Sequence, residues 1–258
     1  MMEQYYQNFC RETFDDNGVL TGFEPICPEQ FNFAYDVVDE FAVKQPDRRA
    51  LVWCNEQGDE RIFTFGELKD LSDRAAAVFA RDGIKKGDRV MLILKRHYQF
   101  WYVITALMKL GAVVIPATNL LTRKDLVYRF QAAGVTAVVC TADGEVSSHV
   151  LSACDECTDV SLKYMVRGEK DGFVNLDSEI ASSNGTFDRP ATHVDDPMLL
   201  YFTSGTTGYP KMVIHDNSYA IGHIITAKHW QNIPGDGLHL TVSETGWGKA
   251  VWGKLFGQ

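Results

Sequence analysis

Three runs, RVMLIL (89–94), AVVIPA (112–117) and TAVVCT (136–141), are apolar at nearly every position and are separated by segments with helical spacing. A strand that reads as continuously apolar is one covered on both faces, which is the condition of a parallel sheet flanked by helices. The intervening pieces supply those helices. YQFWYVITALMKLG (98–111) is apolar almost all round, and Thr122 with Asp125 three residues on has the form of a capping box opening a further helix. Strand and helix in strict alternation require crossover connections and place the chain in the α/β class. A weaker apolar piece, LKYMV (162–166), follows.

Upstream, Phe31, Ala34, Tyr35, Val38, Phe41 and Ala42 fall at helical spacing until Gln45-Pro46 stops the pattern. ALVWC (50–54) and RIFTF (61–65) bracket the turn NEQGDE and predict a hairpin. Thr64 and Glu67 then form a second capping-box pattern ahead of an Ala-rich helix that closes on Gly83. Residues 168–197 carry more Gly, Ser, Asn, Asp and Pro and little apolar periodicity. The resulting expectation is an N-terminal extension (1–25), a first α/β unit (26–167), a long connection (168–197) and the start of a second α/β unit (198–258).

A length of 258 residues at 45% hydrophobic and 23% charged suits one or two globular domains. A formal charge of −9 and a pI near 5.2 argue against a nucleic-acid or anionic-lipid partner, since phosphate binding rests on clustered Lys and Arg. No window reaches the roughly 20 apolar residues of a membrane span, and the acidic N-terminus has no secretory h-region. With six scattered cysteines, a pattern of reduced thiols, the expected location is the cytoplasm. Cys154-x-x-Cys157 lacks a second ligand pair and reads as a surface turn, and the seven histidines have no convincing metal spacing. No metal ligand and no catalytic side chain is assigned.

The segment MLLYFTSGTTGYPKMVIHD (198–216) carries the chemistry: a buried strand, a Gly/Ser/Thr loop at its carboxyl end, then a lysine. Glycines let consecutive N–H groups turn toward an anion. Ser204, Thr206 and Thr207 add hydroxyl donors, and Lys211 adds a point charge for phosphate oxygens. The usual P-loop order of Gly before Lys and a hydroxyl after it is not met, because Pro210 precedes Lys211 and Met212 follows.

TSGTTGYPK, Thr203, Ser204, Gly205, Thr206, Thr207, Gly208, Tyr209, Pro210 and Lys211, resembles the nucleotide signature of the adenylate-forming enzymes. FTFGELKDLSDRAAA, GIKKGDRV and GAVVIPAT extend that resemblance over most of the chain, and NFAYDVVDEFA with SETGWGKAVWGK narrows it toward acetyl-CoA and medium-chain acyl-CoA synthetases. Asp is more usual there than Glu244 before Thr-Gly-Trp. The resemblance implies parallel sheets flanked by helices and a two-step ligase using ATP, Mg2+ and CoA on a small carboxylic acid. It implies Thr245 and Trp247 as candidates for the acyl-pocket wall, a core tryptophan being the competing reading of Trp247. It also implies that this is the N-terminal part of a longer enzyme, since the family's Tyr-Gly-x-Thr-Glu segment and lid are not found in it. On that view the chain is inactive alone and leaves apolar surface around VWGKLF (251–256) free for self-association. A non-catalytic nucleotide-binding module and an amino-acid adenylation domain of a peptide synthetase are the alternatives.

Overall fold

The computed structural model describes residues 2–204, 208–235 and 237–256. Its centre is a seven-stranded sheet. In chain order its strands are β5 (Arg89–Ile93), β6 (Val113–Pro116), β7 (Ala137–Thr141), β8 (Leu162–Val166), β9 (Val174–Asn175), β10 (Pro197–Thr203) and β11 (Lys211–Asp216), following two outlying hairpins that supply β1 to β4. Across the sheet the order is β11-β10-β6-β5-β7-β8-β9. All neighbours are parallel except β11, which folds back antiparallel on β10.

The apolar runs are buried on both faces, as continuous hydrophobicity requires. Val90, Leu92, Val114, Val139 and Leu199 pack into one core, while Met91, Ile93, Ile115, Val138, Cys140 and Leu200 pack into another on the opposite face. This is the period of two of a pleated strand, here apolar in both phases. Helices α2 (Phe65–Arg81), α3 (Gln99–Lys109) and α6 (Leu176–Ser182) cover the first face. Helices α4 (Arg123–Ala133) and α5 (Val146–Cys154) cover the second.

Local signals place these elements well. Thr64 Oγ1 accepts from Glu67 N at 3.2 Å and Glu67 returns the bond to Thr64 N at 2.8 Å, so α2 starts where the capping box predicts. Asp125 does the same for Thr122 N at 3.0 Å at the start of α4. The predicted hairpin is β3 (Arg49–Cys54) paired with β4 (Glu60–Thr64).

Three segments differ from expectation. The helix expected over 31–43 is a π-helical turn, Ala34–Asp39, followed by α1 (Glu40–Lys44). Asn32 Oδ1 accepts from Ala34 N there, and Asp36 Oδ2 accepts from Asn32 N. The connection over 168–197 contains β9 and α6, the latter capped by Asn175 through Ser178 N at 3.0 Å. Residues 10–25 form an antiparallel hairpin of β1 (Cys10–Phe14) and β2 (Leu20–Pro25), closed by Asp15 accepting from Asn17 and Val19 N–H.

The expected apolar exposure around 251–256 is corrected as well. Helix α8 (Gly248–Lys254) turns Val251 inward and Phe256 seats against Phe33 and Tyr219, so both are buried. The chain's exposed apolar side chains instead include Met212, Val213 and Ile214 on β11 and Leu238, Leu240 and Val242 beyond α7 (Ser218–Gly222).

Candidate functional site

The carboxyl ends of parallel strands are where such sheets present loops to ligands. The chain passes from β5 to β6 over one face and from β6 to β7 over the other, so the switch falls beside β5. The turn after β5 is Lys95-Arg96-His97, with Lys95 at φ 49°. His97 Nε2 lies 2.9 Å from Thr141 Oγ1 and 3.3 Å from Asp143 Oδ2, and Lys95 Nζ is 3.4 Å from the same carboxylate. Burial pulls the His97 pKa down against the opposing pull of Asp143.

On the other side of β6 stands the candidate phosphate loop. Thr203 ends β10 directly opposite Lys211, the first residue of β11, so Ser204–Pro210 is the connection of a hairpin. Thr203, Ser204, Gly208, Tyr209 and Lys211 are exposed, and Gly208 sits at φ +99°, a conformation that suits glycine. Gly205, Thr206 and Thr207 lie outside the described residues. Helix α4 props the far limb: Tyr128 donates its hydroxyl to Pro210 O at 2.9 Å and stacks on Tyr209 with centroids 4.7 Å apart. Among the described residues Lys211 has no acidic partner within ion-pair distance.

The segment Glu244–Trp247 returns to the same edge. Thr245 is buried and donates its hydroxyl to Lys95 O, while Gly246 passes so near the end of β6 that a Cβ would sit 2.3 Å from Thr118 N and 2.4 Å from Ala117 C. Gly246 N donates to Glu244 Oε2 at 2.9 Å. Burial nonetheless raises the Glu244 pKa above its ordinary value, with that bond opposing. Trp247 is 67% exposed at the start of α8, whereas Thr245 lines a groove of about 690 Å3 running between the β3–β4 hairpin and residues 237–243. A second cavity, about 520 Å3, lies away from the sheet ends under Tyr5, Tyr6 and Phe31.

The fold therefore gathers Thr203, Lys211, Thr245 and the 95–97 turn at the ends of three adjacent strands. Sequence reasoning missed Lys95, Arg96 and Tyr128. The basic KRH directly after the buried run RVMLIL was the available signal for the first two. Among the described residues no group of three His, Cys, Asp or Glu side chains could hold a metal ion.

Residues 38–247 match the sequence model of the AMP-binding enzymes. The chain is 37% identical over 252 residues to acyl-coenzyme A synthetase ACSM4, mitochondrial, of Rattus norvegicus, covering 95% of this chain and 43% of the relative. It is 36% identical over 235 residues to human ACSM5, mitochondrial, covering 88% of this chain and 40% of the relative. It thus spans about two-fifths of the length of these relatives. Among solved structures a Brucella canis acyl-CoA synthetase superposes with a TM-score of 0.78 at 20% identity, over 88% of this chain and 41% of that one. The anthranilate CoA ligase AuaEII in complex with anthranoyl-AMP gives 0.68 at 20% identity, over 79% and 37%. At that identity the two show the fold: helix-flanked parallel sheet of the adenylate-forming synthetases.

The expected cytoplasmic location is corrected by the relatives, which are named as mitochondrial. A scatter of cysteines does not separate one reducing compartment from another. A parallel sheet with the 203–211 hairpin at its carboxyl edge, and a sequence match through 210 of its residues, lead to one assignment: the chain belongs to the AMP-binding enzyme family.

Proposed function

We propose that this chain is the N-terminal part of an AMP-forming acyl-CoA synthetase. The observation that carries the reading is the 203–211 hairpin, with Lys211 unpaired among the described residues at the carboxyl edge of the sheet. In the first step a carboxylate oxygen attacks the α-phosphorus of ATP and the bond to pyrophosphate breaks, leaving an acyl-adenylate. In the second, the CoA thiol attacks the acyl carbon, its proton leaves, and the bond to AMP breaks. Lys211 and the loop amides hold phosphate oxygens as charge builds on the leaving pyrophosphate, and Ser204, Thr206 and Thr207 orient them through hydroxyl donors. Mg2+ supplies further neutralisation in such chemistry. The described residues offer it no three-ligand group, so no step is assigned through it.

The test is ATP–pyrophosphate exchange with a panel of carboxylic acids on the full-length enzyme. Lys211→Ala removes one charged contact, about 1.5–3 kcal/mol, and lowers kcat/KM for ATP by roughly 10- to 150-fold. Unchanged kinetics at limiting ATP would remove Lys211 from the site. Residues 1–258 alone, lacking more than half the length of the relatives, form no acyl-AMP; turnover that Lys211→Ala abolishes would overturn that expectation.

A further inference from the structure

Two parts of the chain line the cavity of about 520 Å3: Tyr5, Tyr6 and Phe9 come from the N-terminal 25 residues, and Ala220, Ile224 and Ile233 from α7 and the residues after it. Residues 2–25 are built as a separate piece. They comprise a 3-10 helix, Met2–Asn8, and the β1–β2 hairpin, which forms a two-stranded sheet of its own and shares no ladder with the central sheet. Among the described residues two side-chain hydrogen bonds tie this piece to the rest. Tyr5 donates its hydroxyl to Asp36 O at 2.6 Å, and His229 Nε2, on the π-helical turn Thr226–Trp230, lies 2.5 Å from Glu12 Oε1. Rings complete the seam, Tyr5 against Phe41 at 5.5 Å and Phe9 against Phe31 at 5.1 Å. So few bonds to the body place a segment at the low-stability end of a structure.

The Glu12–His229 contact is the enclosed one: the Glu12 side chain is 8% exposed and that of His229 21%, with Phe14 and Phe23 packed at the imidazole. Imidazoles ordinarily carry charge below about pH 6.5 and carboxylates above about pH 4.3. A charge-assisted bond is therefore made between those values and weakens as pH rises and the imidazole proton leaves. The groups around the pair hold their charge state from pH 6 to pH 8. Tyr6 donates to Glu12 Oε2 at 3.1 Å, and burial, then Glu12, pushes its pKa up; the same two causes push the Cys10 thiol to about 11. Lys228, 5.4 Å over the Tyr6 ring, is a cation throughout, and Arg11 and Glu24 form an exposed pair at 3.7 Å.

We propose that residues 2–25 are a pH-gated strap: with His229 protonated, the Glu12–His229 pair latches the strap over the cavity, and loss of that proton frees it to lift and uncover Ala220, Ile224 and Ile233. The device rests on the hairpin's isolation from the central sheet and on an enclosed carboxylate–imidazole pair at its only ionic tie to the body among the described residues. It requires neither ATP nor the 203–211 loop, so it stands apart from the ligase reading.

Amide hydrogen exchange of the chain, with each rate divided by the intrinsic rate at that pH, tests it. A two-stranded hairpin alone is marginally stable, so protection of the β1 and β2 amides reports docking of the strap. Protection of those amides, and of Ala227 and Gln231 in the turn that carries His229, falls about fivefold between pH 6 and pH 8, the factor separating a charge-assisted hydrogen bond from a neutral one. The β5 and β7 amides keep theirs. His229→Lys carries a cation at both pH values and holds the hairpin protected at both, whereas Glu12→Gln leaves it weakly protected at both. If Glu12→Gln also loses protection in β5 and β7, and so is misfolded, His229→Gln makes the same comparison. Hairpin protection that does not change with pH in the parent chain, or a fall of the same size in His229→Lys, overturns the proposal.

Discussion

Lys109 shows what a single residue does that its letter does not announce. It lies in the last turn of α3 with no solvent exposure, its Nζ 2.8 Å from Asp39 and 2.5 Å from Asp73, and Asp73 also receives Lys69. An uncompensated charge left behind by removing one partner of a buried pair costs about 3–5 kcal/mol. Lys109→Ala is therefore expected to lower the unfolding free energy by that order, read as a drop in urea midpoint, and adding Asp39→Asn and Asp73→Asn to Lys109→Met recovers part of the loss. His223 gives a pH signature. Burial, then the neighbouring His215, lowers its pKa to about 4, and its ring stacks on Trp252 at 5.5 Å. A histidine depressed in the folded state binds its proton more readily when unfolded, so its contribution is full above pH 6.5 and is lost as pH falls toward about 4. The ceiling is about 1.4 kcal/mol per pH unit, reduced by the ring's partial exposure. His223→Gln flattens the decline of the urea midpoint between pH 6.5 and 4.5; an unaltered decline assigns it to other groups.

At the scale of elements, caps and close approaches decide where the site residues stand. Thr64→Ala removes the cap of α2 and costs about 1 kcal/mol, read as a shift in thermal or urea midpoint. Gly246→Ala acts differently. The added Cβ would meet main-chain atoms of Ala117 and Thr118 at 2.3–2.8 Å, and backbone cannot swing aside as a side chain can. The 244–247 segment must lift from the end of β6, with a destabilisation of about 1–3 kcal/mol and loss of the Thr245–Lys95 contact. Proteolysis within 237–247, faster in Gly246→Ala than in the parent chain, is the expected readout. The capping boxes at Thr64 and Thr122 were legible because they are local: donor and acceptor lie three residues apart. The π-helical turn at Ala34–Asp39 was not, because apolar spacing near four residues fits both that turn and a regular helix, and the choice rests on Asn32 bonding across to Met108 O at 2.8 Å.

At the scale of the whole molecule, the sheet ends among the described residues on the edge strand β11. Strand β11 exposes Met212, Val213 and Ile214 and, among the described residues, pairs on one side with β10 alone. Flat apolar edges invite pairing with another strand, and a charge placed on them suppresses it. Sedimentation of residues 1–258 is expected to show concentration-dependent association that Ile214→Lys diminishes; a monomer at every concentration would show the edge to be inert. The nature of this edge illustrates how far the chain could be read without its structure. The α/β class was determined by the sequence alone, because a strand covered on both faces is apolar at nearly every position, as RVMLIL, AVVIPA and TAVVCT are. The position of a loop at 203–211 was legible too, since a glycine- and hydroxyl-rich stretch between two apolar runs breaks the strand pattern. What only the tertiary structure decided depends on pairings between distant residues: β10 joining β6 at Leu199 and Val114, β11 reversing so that Lys211 faces Thr203, and Thr245 reaching Lys95. Periodicity reports which side of an element is buried; it carries no information about which other element does the burying.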